Sequence, residues 1–226
     1  MIVKLEGIVN EEMVDQLIEA HNACPPEEEL HVYLGTDGGA EDDMNTIINI
    51  INESEKISVV FCTSRVFSAG FVIAMTCMKP VEFVEGCLGM FHKGAFYGGM
   101  WTDELKVHKQ VKDVMKLHSK KAKQLTEEMI SLGIFTPKEE EKLRKGKDVY
   151  CSTERLREMR QIVWQPIQDE IEAYIKEQQA QEEEAFKLRE EAKNKEFRKE
   201  IEDIEKKVAE VCGEVVEKPK TVKNTK

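Results

Sequence analysis

Through its first 92 residues the chain alternates short apolar runs with amphipathic ones, and this order restricts the fold more than any other feature. Ile2, Val3 and Leu5 suggest a first strand. Met13, Val14, Leu17, Ile18 and His21 form a helical stripe over residues 11–22, stopped by Cys24-Pro25-Pro26. Leu30, Val32 and Leu34 then alternate as a half-buried strand does. Met44, Ile47, Ile48 and Ile51 mark a second amphipathic helix. A buried-looking strand, Ile57 to Cys62, follows and leads through a short turn into an apolar helical segment that begins at Ser68-Ala69-Gly70. Val81 and Phe83, then Leu88, Met90 and Phe91, read as two further strands. Strands that alternate with helices predict an α/β domain with a mainly parallel sheet. In such sheets, sites gather beyond the strand ends.

The second half reads differently. Residues 93–100 form a glycine- and aromatic-rich loop, and Thr102 to Leu132 reads as one long helix closed by Gly133. Its many apolar positions, among them Leu105, Val111, Val114, Met115 and Leu117, predict that some are covered, either on its own domain or on a neighbouring subunit. Thr136-Pro137-Lys138-Glu139 has the pattern of a capped helix start, and Ser152-Thr153-Glu154 opens another, short helix. After about Gln165, Glu, Lys, Gln and Ala dominate. Phe197, Ile201, Ile204, Val208, Val211 and Val215 recur at intervals of four and three. That seam fits an exposed single helix laced with ion pairs or an oligomerising coiled coil, and the coiled coil is the favoured reading for 195–215. The expected organisation is a domain over 1–162, a charged helical extension over 163–216 and a disordered basic tail over 217–226.

Charge and cysteine usage narrow the function classes. With 44 acidic against 33 basic residues the net charge is −11, which argues against a generic nucleic-acid surface. No signal-like segment and no long apolar run stand in the sequence, so neither secretion nor a membrane partner is expected, and the cytoplasm is the expected compartment. Six scattered cysteines without a C-x-x-C pair read as reduced, mostly buried thiols. The spacing offers no metal centre, and no cofactor is expected.

Three short features carry candidate chemistry. Gly38-Gly39 ends one strand, where N–H groups can turn toward a ligand. Ser68 stands at a strand-to-helix turn, where a hydroxyl can be presented beside the first N–H groups of a helix. His92 ends a later strand. Taken singly, each is as readily a tight turn or a close-packing position. Together they supply a nucleophile, a base and two N–H donors for an oxyanion. Asp37 is an acidic residue near the same rim.

With these motifs residues 1–160 resemble the Clp protease proteolytic subunit family, especially the Clp-like proteases of phages and prophages. The carrying features are the Gly38-Gly39 turn, Ser68-Ala69-Gly70 followed by Val72-Ile73-Ala74-Met75, and Met90-Phe91-His92 placed 24 residues on, since 92 − 68 = 24. The long helix that follows and Asp148-Val149-Tyr150-Cys151-Ser152-Thr153-Glu154 complete the pattern. The resemblance implies a Clp/crotonase-like spiral ββα fold and a serine endopeptidase. Ser68 would be nucleophile, His92 base and Asp148 the residue orienting it, with the N–H groups of Gly39 and Ala69 as oxyanion hole. It also implies a peptide or protein substrate, a homo-oligomeric ring, and a capsid-scaffold or unfoldase partner. Two departures stand out. Phe67 precedes Ser68 where the family has a small residue, and Lys93-Gly94 follow His92 in place of a polar residue and Pro. They leave open a catalytically inactive assembly protein with the same fold. A crotonase-like acyl-CoA enzyme also uses paired N–H donors, but no acidic motif marks one here.

Overall fold

The computed structural model describes residues 1–93 and 109–216, with side chains described over 1–93 and 116–208. The loop expected over 94–100 and the tail over 217–226 lie outside the described residues. The chain divides into two compact units, Met1–Ile167 and Gln168–Lys226.

In the first unit, β1 (Ile2–Val9), α1 (Glu11–Ala23), β2 (Leu30–Gly39), α2 (Glu41–Glu53), β3 (Ile57–Phe67) and α3 (Ala69–Thr76) follow one another in strict alternation. Then come β4 (Val81–Phe83), β5 (Leu88–Phe91), α4 (Lys109–Ser131), α5 (Pro137–Arg144), β6 (Val149–Cys151) and α6 (Thr153–Val216). One mixed sheet runs in the order β1-β2-β3-β5-β6, with β4 also on β3. All pairings are parallel except β5 with β6. The α/β class and the mainly parallel sheet are those the alternation predicts.

Strand β3 is the centre of the sheet and longer than the sequence suggests. Its apolar half pairs with β4 through Val60–Cys62, and its second half pairs with β5 through Arg65–Phe67. The expected turn between Cys62 and Ser68 is therefore strand. Thr63, Ser64 and Arg65 break the apolar run, but beyond the break Arg65 pairs with Leu88 of β5 and Val66 with Thr36 of β2, and this pairing carries the strand on to Phe67. Helix α3 carries seven consecutive buried residues, Ala69 to Met75. It contacts β2, β3, β5 and α2, so it lies inside the core and needs no polar face.

Two helices also differ from expectation. Of the helix predicted over 102–132, the described part is α4; its last turns pack on the core through Leu125, Met129 and Ile130, while Leu117 is exposed. The short helix expected at Ser152 instead continues as the 64-residue α6. Pro166 removes one backbone donor inside it, yet the Glu-, Lys-, Gln- and Ala-rich sequence beyond has high enough helix propensity to carry on. Helix α5 begins with the anticipated capping box, Thr136 accepting from Glu139 N–H and Glu139 from Thr136 N–H.

The first turns of α6 close the core. Leu156 and Met159 are buried, and Thr153 Oγ1 donates to Cys87 O at 2.8 Å. Arg160 is only 5% exposed. Its guanidinium donates to the carbonyls of Met75 and Cys77 at 2.7 Å and of Lys79 at 2.8 Å, which satisfies the end of α3 with a cation. Trp164 covers the guanidinium at 4.8 Å. Arg160→Leu removes these donors and leaves buried carbonyls unpaired. The expected loss is roughly 3 kcal/mol, or a thermal midpoint lower by roughly 6–12 °C, measured by calorimetry.

Candidate functional site

The site forms beyond the carboxyl ends of β2, β3 and β5. Parallel pairing sets Phe67 opposite Met90 and so brings the next residues of both strands to the same rim. Ser68 N–H donates to Met90 O at 2.8 Å, which ties the turn after β3 to the strand that carries His92. His92 Nε2 lies 2.9 Å from Ser68 Oγ. Behind the pair, the rings of Phe71, Phe91 and Phe135 stack at centroid distances of 5.5 to 6.1 Å and anchor both α3 and the end of β5.

Asp148 arrives by a second pairing. Strands β5 and β6 are antiparallel, with Phe91 opposite Val149 and Met90 opposite Tyr150. Carrying that register one step further sets His92 opposite Asp148. Asp148 Oδ1 lies 4.0 Å from His92 Nδ1, within ion-pair reach and beyond hydrogen-bond length. Tyr150 Oη donates to Asp148 Oδ2 at 3.4 Å. The imidazole is mostly shielded, with 22% of its side chain exposed, and the carboxylate is half open at 45%. Asp37 has another partner. Arg65 grips its carboxylate with two N–H groups, one of them at 2.7 Å, and this hydrogen bonding lowers its pKa below the usual value.

Ser68 adopts φ 51°, ψ −111°, and among the described residues it is the only non-glycine with positive φ. Such a backbone costs on the order of 1–3 kcal/mol and survives only where the surroundings impose it. Here the imposing contacts are the Met90 carbonyl on one side and Gly38 on the other. A Cβ on Gly38 would stand 2.6 Å from Ser68 Cβ and 2.9 Å from Phe67 O, so only glycine lets β2 approach the turn. Ala69, Gly70 and Phe71 head α3, whose N-cap makes no side-chain hydrogen bond, and the first N–H groups of a helix have no acceptor within it.

The N–H directions along Gly38-Gly39-Ala40 follow from their partners. Gly38 N–H donates to Thr36 Oγ1 at 3.0 Å, and Ala40 N–H donates to Val9 O at 2.9 Å. Both therefore point toward β1. Gly38 has φ 97° and Gly39 φ 159°, and the β1–β2 register shifts between Gly7 and Ile8, so this turn departs from regular strand.

Thr36 is a residue that sequence reasoning did not single out. It is fully buried, and its hydroxyl donates to Gly7 O at 2.7 Å while accepting from Gly38. Its methyl group occupies the space beside Gly70, where a Cβ would come within 2.2 Å of Thr36 Cγ2. One side chain thus holds the Gly38 turn and the first turn of α3 at once. Its partners are about 30 residues away on both sides, and no local pattern announces them. Phe67, adjacent to the serine, packs edge-on against Tyr150 at 6.4 Å. Among the described residues no group of three or more His, Cys, Asp or Glu could hold a metal ion.

No family model matches the chain, and no curated protein matches it. Among solved structures, a ClpP1 mutant from Listeria monocytogenes is similar, with 19% identity over 72% of this chain and 88% of that chain and a TM-score of 0.46. At that distance the likeness says nothing about activity or residue roles.

The Thr36–Gly70 contact yields a double-mutant test. Gly70→Ala is expected to destabilise the first unit by roughly 1–3 kcal/mol through overpacking. In a Thr36→Ser background the methyl group is gone, the next contact distances are 3.6 Å or more, and the same substitution is expected to be nearly neutral. Denaturant unfolding of the four chains measures the coupling.

Proposed function

We propose that the chain is a serine endopeptidase with a Clp-like spiral fold, in which Ser68, His92 and Asp148 act as a triad. The observation that carries the reading is the 2.9 Å contact between Ser68 Oγ and His92 Nε2 at a turn whose serine has positive φ. The two strand registers add weight, because they bring base and carboxylate to the same serine from separate parts of the chain.

The chemistry follows the geometry. Ser68 Oγ attacks the carbonyl carbon of a peptide bond as His92 Nε2 takes its proton. The oxyanion accepts hydrogen bonds from the N–H groups of Gly39, at the carboxyl end of β2, and of Ala69, at the head of α3. His92 then passes the proton to the leaving amine, and the acyl group remains on Ser68. Water hydrolyses the ester by the same route in reverse, with His92 again as base. Asp148 needs to move about 1 Å closer to reach hydrogen-bond length with Nδ1 and stabilise the imidazolium. A peptide entering over Ser68 meets Phe67 and Tyr150, so the acyl-side pocket favours a side chain that packs on aromatic rings.

A self-assembled ring acting on a peptide or protein, such as a phage capsid scaffold, is the setting that the sequence resemblance implies. The departures at Phe67 and Lys93 keep the inactive assembly protein as the alternative, and activity separates the two. Ser68→Ala and His92→Ala are each expected to lower peptide hydrolysis by roughly a thousand-fold or more, with thermal stability retained. The double variant is expected to lose little beyond either single one, since the pair acts as a unit. Independent, multiplicative losses, or hydrolysis that persists in Ser68→Ala, would defeat the proposal.

A further inference from the structure

The second unit presents an apolar stripe that nothing in its own helix covers. Phe197 is 61% exposed, Ile201 40%, Ile204 60% and Val208 55%. In heptad positions Ile201 and Val208 are a, while Phe197 and Ile204 are d. The flanking e positions are then Arg198 and Glu205, and the flanking g positions are Glu200 and Lys207. Four charges of two signs in those places make orientation and register readable.

In a parallel pair, each g residue meets the e residue five positions on in the other helix. Glu200 would face Glu205, and Lys193 would face Arg198, so both of these contacts join like charges. In an antiparallel pair, e meets e and g meets g. With Ile201 packed on Ile204 of the second copy, and Phe197 on its Val208, Arg198 faces Glu205 and Glu200 faces Lys207. Each contact occurs twice by symmetry, which gives four opposite-charge pairs around four apolar layers. Sliding the antiparallel pair by one heptad one way sets Arg198 and Glu200 each against its own copy. Sliding it the other way does the same to Glu205 and Lys207. Both shifts set like charges together at these positions; the second also sets Val211 on Ile201 and Val215 on Phe197, so the charges rather than the apolar layers select the register.

We infer that residues 197–208 form an antiparallel two-helix contact with the same segment of a second copy of this chain, centred between Glu202 and Asp203. The inference does not depend on the proposed peptidase activity. Asn194 occupies the a position just before the stripe and ends its apolar run. A polar Asn at a is a device of parallel dimers, which makes the parallel pair the rival to exclude. Within 197–208 the contact has four apolar layers, and the same register sets Val211 against Asn194, so the contact is weak and reversible.

The test is self-association of the full chain by sedimentation equilibrium. Ile201→Asp with Ile204→Asp defines the part that the stripe contributes. Glu200→Lys sets two lysines against the two copies of Lys207 and is expected to weaken that part about five-fold. Adding Lys207→Glu restores opposite charges and is expected to bring it back. In the parallel arrangement Glu200→Lys would relieve the clash with Glu205 and tighten association, which overturns the inference. It is overturned equally if Ile201→Asp with Ile204→Asp leaves association unchanged, since the stripe then binds its own chain or another partner.

Discussion

The hydrogen bond from Ser68 N–H to Met90 O is the constraint on which the site depends. It extends the parallel ladder of β3 and β5 by one step past the last paired residues, Phe67 and Met90. That step decides where a hydroxyl and an imidazole meet. A serine one residue later in β3, or a histidine one residue later in β5, would point to the other face, because side chains alternate along a strand. The antiparallel register of β5 with β6 then sets Asp148 beside the imidazole, 4.0 Å from Nδ1. Two strand pairings, one parallel and one antiparallel, do the positioning that a flexible loop would do less accurately.

Holding Ser68 in its backbone conformation requires that everything around it resist relaxation. Helix α3 is buried on all faces, its start is wedged against Thr36, and its end is bound by Arg160. The Phe71, Phe91 and Phe135 rings fill the space between α3, β5 and the segment after α4. Each of these groups limits where the turn can go. This accounts for the placing of a cation so deep in the first unit. A lysine there lacks the planar fork that reaches three carbonyls at once.

Much of the fold was legible in the chain order. Alternating periods of two and near 3.6 identify β1 to α3, and those elements account for most of the core. Ser68, Gly38-Gly39 and His92 are visible as residues at strand ends, and a parallel sheet sends such ends to one rim. The extent of β3 was not legible, because Thr63, Ser64 and Arg65 look like a turn until β5 is known to pair with Arg65, Val66 and Phe67. Thr36 was hidden for the same reason, its partners Gly7 and Gly70 being distant in sequence. The full length of α6 was masked by Pro166, a breaker in most contexts. Asp148 was reached through family resemblance, and the antiparallel register is what supplies a physical reason for its position.

Activation of Ser68 by His92 is the central claim, and covalent labelling reads it directly. A fluorophosphonate reacts with an activated serine by forming a phosphorus–oxygen bond as fluoride leaves and the hydroxyl proton passes to the base. Intact-mass and peptide-mapping spectrometry of the full chain are expected to find one adduct on Ser68 and to lose it in His92→Ala. A chain left unlabelled at Ser68, or labelled there equally well without His92, would contradict the account.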